Sequence, residues 1–168
     1  MASIMTGGRD SRAAGRCGLG AVMGSKKLKA IVVYGTGKIP LHDEDAVSRI
    51  PKEYGALIKK NSEMLSKYGT PGGISMFETM GNLPIQNWKY PGRWEKSAAK
   101  INGMTMAETI LTGRHFCDSC VVGCGRKVKI EKGPYAGLEG TGPEYESIAM
   151  LGSNCLIDDL EAICFANE

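Results

Sequence analysis

Three cysteines lie close together in the second half of the sequence. Cys117, Cys120 and Cys124 read C-x-x-C-x-x-x-C within HFCDSCVVGCGRK, residues 115–127 of the 168-residue chain. Cysteines at this spacing cannot connect distant parts of a fold, and six cysteines in a chain expected in the cytosol favour metal or redox chemistry over disulfides. A tetrahedral zinc site and a cubane iron–sulfur cluster each normally take four protein ligands. The segment therefore predicts a loop that supplies three ligands, with the fourth from elsewhere.

The spacing also bears on which metal is bound. Zinc sites usually show paired C-x-x-C units or a histidine at finger spacing, and His115, two residues before Cys117, is poorly placed for that role. Three thiolates from one tight loop are typical of cubane clusters. The pattern favours an iron–sulfur cluster over zinc, and either over free thiols. Cys17, Cys155 and Cys164 are scattered, and we expect them to be packing residues.

The overall composition is that of a globular protein with little net charge. The chain is 42% hydrophobic and 23% charged, and its formal net charge is +3 with both signs interspersed. Such a weak charge does not predict a nucleic-acid partner. No apolar run reaches the roughly 18–20 residues that cross a bilayer, and no signal peptide opens the chain. We therefore expect a cytoplasmic protein with neither a nucleic-acid nor a membrane partner.

Hydrophobic patterning predicts a mixed α+β chain. The β-branched run LKAIVVYG, residues 28–35, indicates a buried strand. Apolar residues recur at helical spacing from residue 44, after a plausible N-cap at Asp43, and we expect a turn at Pro51 and then a helix to about Tyr68. Further helices are predicted over 74–80, 105–112, 144–152 and 158–168, the last capped by Asp158, with a strand at 126–130 and loops over 81–104 and 131–147.

The segment RDSRAAGRCGLGAVMGSKK, residues 9–27, is glycine-rich and basic. Closely spaced glycines let backbone N–H groups converge on an anion. The segment has no G-K-S/T at Walker spacing, and its glycines do not follow a strand and open a helix as a dinucleotide fingerprint does. Taken alone, it is interpreted equally well as a phosphate-binding loop or as a solvated basic loop.

Further segments occur in a fixed order along the chain. They are RAAGRCGLGAVMGSKKLKAIVV, GTGKIPL, LPIQNW, CDSCVVGCGR, GPEYES and LGSNCLIDDLEAI. In this order they resemble the tungsten-dependent aldehyde ferredoxin oxidoreductase family, and the resemblance runs from about residue 3 to the last residue. One departure is Cys17, where the family pattern has glycine.

The resemblance implies a fragment, because members of that family are several times longer. Residues 1–40 would form the C-terminal part of a β-rich pterin-binding domain. Residues 41–168 would form the N-terminal part of a mainly helical domain that carries the iron–sulfur cysteines. Cys117, Cys120 and Cys124 would then be the first three cluster ligands, and the fourth would lie beyond the end of this chain.

The activity implied by the resemblance is the oxidation of aldehydes to carboxylic acids. Electrons would pass from a tungsten or molybdenum bis-pterin centre through a [4Fe–4S] cluster to ferredoxin, and the full-length protein is expected to form a homodimer. Arg12, Ala13 and Gly15 would contact the pterin, with the guanidinium pairing a phosphate. Glu144 of GPEYES would be a carboxylate near the metal that orients or deprotonates water, and Glu146 is the nearby alternative.

Other interpretations remain open at this point. The cysteines could belong to a non-enzymatic iron–sulfur or zinc-binding module, or the chain could belong to a related subunit that acts on aromatic thioesters or other oxoacids. GPEYES and the loop containing Trp88 favour the aldehyde branch. Glu144 and Glu146 could each be a carboxylate that only favours the positive end of a helix dipole.

Overall fold

The computed structural model describes residues 2–6, 12–89, 94 and 96–168. The chain divides into two compact units, Met1–His42 and Asp43–Glu168. The first contains a two-stranded sheet and one helix, and the second contains a three-stranded sheet and most of the helices. This mixed architecture confirms the α+β fold class. No helix within the described residues is long and apolar enough to cross a membrane.

In the first unit, strands β1 (Ile4–Thr6) and β2 (Arg12–Ala14) pair antiparallel, with Thr6 opposite Arg12. Helix α1 (Leu19–Ser25) follows Gly18, whose φ of +68° is readily adopted by glycine. Gly15 and Gly18 therefore do follow a strand and open a helix, and the expectation from the sequence that they do not is wrong. Cys17 also has a positive φ, +64°, in the conformation that disfavours L-residues by roughly 1–2 kcal/mol. The glycine that the family pattern places at this position would adopt that conformation without the penalty.

The predicted strand over 28–35 is wrong. This segment belongs to no ladder among the described residues, and Val32 and Val33 are 92% and 83% exposed. A β-strand exists only through hydrogen bonds to a neighbouring strand, which the β-branched composition of a segment does not supply.

In the second unit, helices α2 (Glu44–Asn61), α3 (Glu63–Tyr68) and α4 (Ile74–Thr79) follow in order, with a 3₁₀ turn at Thr70–Gly73 before α4. Asp43 caps α2 as predicted, because its side chain accepts a hydrogen bond of 2.8 Å from the Ala46 N–H. The predicted turn at Pro51 is wrong, since α2 runs through it. Pro51 is exposed and removes only one helical N–H donor, and water can reach the carbonyl that this leaves without a partner.

The remaining helices are short. They are α5 (Ser97–Lys100), α6 (Gly103–Thr109), α7 (Tyr145–Leu151) and α8 (Leu160–Asn167). Helices α4, α6, α7 and α8 confirm the predicted helical segments to within a few residues. The predicted loop over 81–104 contains α5 and the start of α6, and its residues 90–93 and 95 lie outside the described part of the chain.

The cap of α8 differs from the prediction. Asp159 accepts hydrogen bonds from the N–H groups of Glu161 and Ala162. Asp158 instead accepts hydrogen bonds from the side chains of Ser97 and Lys100. Either aspartate could cap the helix on sequence grounds, and the competing contacts from α5 decide between them.

Three strands form the sheet of the second unit. They are β3 (Leu111–His115), β4 (Gly125–Lys129) and β5 (Glu139–Gly142), antiparallel in the order β3-β4-β5. Strand β4 confirms the predicted strand over 126–130. Strand β3 overlaps the end of a predicted helix, and β5 lies in a predicted loop. Both arise by pairing with β4.

The core of the second unit is formed by helices α4 to α8, strand β4 and adjoining loops. Its buried apolar side chains are Ile74, Leu83, Ile85, Ala98, Ile101, Met106, Ile110, Val128, Ile130, Ile148, Ala149, Leu160, Ile163 and Cys164. Where α6 begins, Gly103 abuts the backbone that follows α3. A Cβ on Gly103 would lie 2.2 Å from the Tyr68 carbonyl oxygen and 2.6 Å from the Gly72 nitrogen. This approach is possible only without a side chain.

We expect Gly103→Ala to lower the free energy of unfolding by about 1–3 kcal/mol, because the new methyl group forces two backbone segments apart. Gly55→Ala, also in a helix, is the matched control, because no described atom beyond its own stretch of helix lies within 4 Å of its Cβ position. It is expected to raise stability by up to about 1 kcal/mol. Urea unfolding followed by circular dichroism measures both. Equal stability of Gly103→Ala and the parent chain would contradict the packing described here.

Candidate functional site

Strands β3 and β4 form an antiparallel hairpin whose connecting loop, residues 116–124, carries the clustered cysteines. His115 lies opposite Gly125 at the end of the ladder. Cys117 therefore sits just beyond one strand and Cys124 just before the other, with Cys120 between them. The structure thus brings all three cysteines onto one loop, which we name the cysteine loop.

The three thiols differ in environment. Cys117 is exposed, whereas Cys120 and Cys124 are half-buried. The Cys120 N–H donates to the Cys117 carbonyl at 3.0 Å, which closes a tight turn. Backbone hydrogen bonds from Val122 and then Gly123 lower the pKa of the Cys120 thiol, and the Val122 nitrogen lies 3.4 Å from its Sγ. These donors favour the thiolate, which is the form that binds a metal.

The cysteine loop has the right donor atoms for an iron–sulfur cluster, because iron in such clusters takes thiolate ligands. Among the described residues, no set of three or more His, Cys, Asp or Glu side chains converges closely enough to hold a metal ion.

The cysteines outside the loop differ in environment. Cys17 and Cys155 are exposed, so the expectation that they are packing residues is wrong for both, since each lies in a short turn at the surface. Cys164 is buried in the core, as predicted, and burial raises the pKa of its thiol to about 12. The Cys155 thiol donates to the carbonyl of Met150 on the preceding helix.

Arg126 in strand β4 connects the cysteine loop to helix α3. Its side chain is 1% exposed. Its Nε donates to the Cys124 carbonyl at 3.0 Å, and Nη2 donates to the Gly123 carbonyl at 2.8 Å. On the other side, Nη1 donates to Lys67 and Nη2 to Ser66, both at 2.8 Å and both in the last turn of α3. One guanidinium therefore satisfies carbonyls from two segments far apart in sequence.

The charged guanidinium of Arg126 is buried against the cysteine loop. Burial, and then the charge of Arg114 opposite it on β3, lower the pKa of Arg126, while Cys124 and Glu144 raise it. Arginine remains protonated under such shifts. On the other side Arg126 pairs with Gly142 of β5, where a Cβ would lie 2.7 Å from that of Arg126. The sequence analysis did not identify Arg126. Its only sequence signal is that it lies on the same face of β4 as the apolar Val128.

Glu144 and Glu146 lie at the start of α7 in different surroundings. Glu146 is exposed. Glu144 is half-buried, and its Oε2 accepts a hydrogen bond of 2.6 Å from the hydroxyl of Thr70. The same hydroxyl oxygen accepts the N–H of Tyr145 at 2.9 Å. The sequence analysis also did not identify Thr70, because nothing in the sequence indicates that the segment GTPGG, residues 69–73, contacts GPEYES, residues 142–147.

The remaining predicted residues belong to the first unit. Arg12 is half-buried in β2, and Ala13 and Gly15 are exposed. The Thr6 hydroxyl donates to the Arg12 carbonyl at 3.4 Å across the two strands. Apart from its chain neighbours, no described residue has an atom within 4 Å of the position that a Cβ on Gly15 would take.

We expect Arg126→Met to lower the free energy of unfolding by about 2–4 kcal/mol, because four carbonyls, one in a buried and three in partly buried hydrogen bonds, lose their donor, and one left buried without a partner costs about 1–3 kcal/mol. Lys127→Met, at the next position of the same strand but exposed, is the control and is expected to change stability by less than about 0.5 kcal/mol. Urea unfolding measures both variants. Equal effects would show that Arg126 does not hold the cysteine loop to α3.

Two family models match the chain in sequence order. The model for the N-terminal domain of aldehyde ferredoxin oxidoreductase matches residues 1–35, and the model for domains 2 and 3 matches residues 49–168. The tungsten-containing aldehyde ferredoxin oxidoreductase of Pyrococcus furiosus is 38% identical over 99% of this chain, and that of Thermococcus kodakarensis is 39% identical over 99%.

A less similar relative is named for a different activity. The WOR-like subunit of an aliphatic sulfonate oxidoreductase from Pyrococcus furiosus is 31% identical over 98% of the chain. The chain spans about a quarter of the length of these relatives, namely 27% of both aldehyde ferredoxin oxidoreductases and 26% of the sulfonate oxidoreductase subunit. The matches confirm the resemblance seen in the sequence motifs. The chain therefore belongs to the aldehyde ferredoxin oxidoreductase family.

Proposed function

We propose that the chain is part of an oxidoreductase that converts an aldehyde and water into a carboxylic acid, two protons and two electrons. The observation that carries this proposal is the hairpin that gathers Cys117, Cys120 and Cys124 onto one loop, in a chain that belongs to this family. A non-enzymatic zinc module is less favoured, because the cysteine loop has neither a second C-x-x-C unit nor a histidine at finger spacing.

The three thiolates would hold three irons of a [4Fe–4S] cluster, with the fourth ligand supplied from outside the cysteine loop. Cys120 is the best prepared of them, because backbone N–H groups already favour its thiolate. When bound, a tungsten or molybdenum bis-pterin would supply the two-electron oxidation, and the cluster would carry the electrons singly towards ferredoxin.

Residues of the first unit would bind the pterin. The Arg12 guanidinium would pair with a phosphate, as planar guanidinium groups do. Ala13 and Gly15 are small and exposed, so they would let the backbone approach the ligand closely.

Glu144, rather than Glu146, would orient or deprotonate the attacking water. A group in this role must be held in one geometry, and Glu144 is half-buried and fixed by Thr70. Glu146 is exposed in the first turn of α7, where the helix dipole favours a carboxylate.

A second candidate substrate class follows from the sulfonate oxidoreductase subunit among the relatives. Its identity of 31% is lower than the 38% and 39% of the aldehyde enzymes, so the aldehyde is preferred. Reduction of a viologen dye by the complete tungsten-loaded enzyme, with an aldehyde or an alkanesulfonate as electron donor, distinguishes the two.

Anaerobic reconstitution of the chain with iron and sulfide tests the cluster. We expect Cys117→Ser, Cys120→Ser and Cys124→Ser each to reduce bound iron and acid-labile sulfide to background, because two thiolates do not retain a cubane. Cys155→Ser, outside the cysteine loop, is the matched control and should bind as much iron as the parent. Electron paramagnetic resonance identifies the cluster type.

Two results would contradict the cluster assignment. One is loss of iron from Cys155→Ser as complete as from Cys120→Ser, which would show that Cys155 is a ligand rather than a control. The other is zinc without labile sulfide in protein purified anaerobically.

A further inference from the structure

The hydroxyl of Thr70 joins two elements that the sequence keeps far apart. It bonds to the Glu144 carboxylate across a sequence separation of 74 residues. We propose that Thr70 is a positioning residue for the oxidation, because its hydroxyl fixes the orientation of the Glu144 carboxylate. This inference rests on the role proposed above for Glu144.

The direction of the hydrogen bonds follows from the donors available. A hydroxyl has one proton to donate. The Thr70 oxygen accepts the N–H of Tyr145 at 2.9 Å, so its own proton points to Glu144 Oε2 at 2.6 Å. Oε2 is therefore held as an acceptor of the Thr70 hydroxyl, which fixes the orientation of the carboxylate.

The position of Thr70 is itself fixed by close packing. It begins the 3₁₀ turn Thr70–Gly73, in which Pro71 is buried. The backbone of this turn is pressed against Gly103 at the start of α6. A residue held in this way can keep a partner within a few tenths of an ångström, as a reacting carboxylate requires.

The same segment also contacts the cysteine loop. Gly69 has a φ of +67°, and a Cβ there would lie 3.0 Å from the Cys124 carbonyl oxygen and 3.1 Å from Nε of Arg126. The consecutive residues Gly69 and Thr70 thus touch the cysteine loop on one side and Glu144 on the other. One short stretch of backbone therefore packs against the cysteine loop and also carries the hydroxyl that bonds to Glu144.

A purely structural role would be the capping of α7 through the Tyr145 N–H. Such a cap would affect stability but not the chemical step. Thr70→Val removes the hydroxyl at nearly constant shape, and Thr70→Ser keeps it. Thr79→Val is the matched control, because Thr79 is an exposed helical threonine whose hydroxyl donates only locally, to the Ser75 carbonyl.

In the complete tungsten-loaded enzyme, we expect Thr70→Val to lower kcat for an aldehyde by about 10–100-fold, with KM changed by less than about threefold. Thr70→Ser should stay within about threefold of the parent, and Thr79→Val should match it. In the Glu144→Gln background, Thr70→Val should cause no further loss, since the group that Thr70 positions is already gone.

A second measurement is independent of catalysis. Urea unfolding of the chain, with Thr70→Val, Glu144→Gln and the double variant, should give a coupling of about tenfold in the folding equilibrium constant. Absence of coupling would show that the hydrogen bond does not form in solution and would overturn the inference.

The kinetic outcomes separate the two proposals. If Glu144→Gln retains the parent kcat, the role proposed for Glu144 fails, and this inference with it. If Glu144→Gln loses activity while Thr70→Val retains it, or if the two losses multiply, only the inference about Thr70 is overturned.

Discussion

The buried guanidinium of Arg126 donates to backbone carbonyls of two segments, the end of the cysteine loop and the last turn of α3. Withdrawing a cation from water is unfavourable, and it is tolerated only where charge-assisted hydrogen bonds, each contributing about 1.5–3 kcal/mol, replace the lost hydration. Those bonds require every carbonyl to be in place at once. The hairpin, α3 and the turn after it are therefore mutually constrained, and the glycines at 69 and 142 give Arg126 the room it needs.

The sequence predicted elements whose cause is local. Helical spacing identified α4, α7 and α8, and the Asp43 cap of α2 was found because a cap is a contact between residues three apart. Strands β3 and β5 were missed, and the segment 28–35 was taken for a strand. In each case the outcome depends on a pairing partner that composition does not reveal. At Pro51 a local rule gave the wrong result. Proline usually ends a helix, but α2 continues through this position.

In the candidate site, too, the residues with a local sequence pattern were predicted, and those that depend on distant contacts were not. The cysteine loop was predicted because its ligand spacing is itself a local pattern. The choice between Glu144 and Glu146 was left open, because both are acidic residues at the start of one helix and only burial and Thr70 distinguish them. Arg126 and Thr70 gave no usable signal. Their roles arise from carbonyls and a carboxylate that the fold brings from distant segments.

The cysteine loop is anchored unevenly. The carbonyls of Gly123 and Cys124 are held by Arg126, while Cys117 and the two residues after Cys117 are exposed. If the three thiolates held a cluster, the conformational entropy lost on binding would therefore come mainly from the first half of the loop. Cys124 would contribute from backbone that Arg126 already fixes, and Cys117 from a segment that binding has to order. Cluster binding would in this sense be a folding reaction of a few residues, with one end preformed and the other ordered by the ligand.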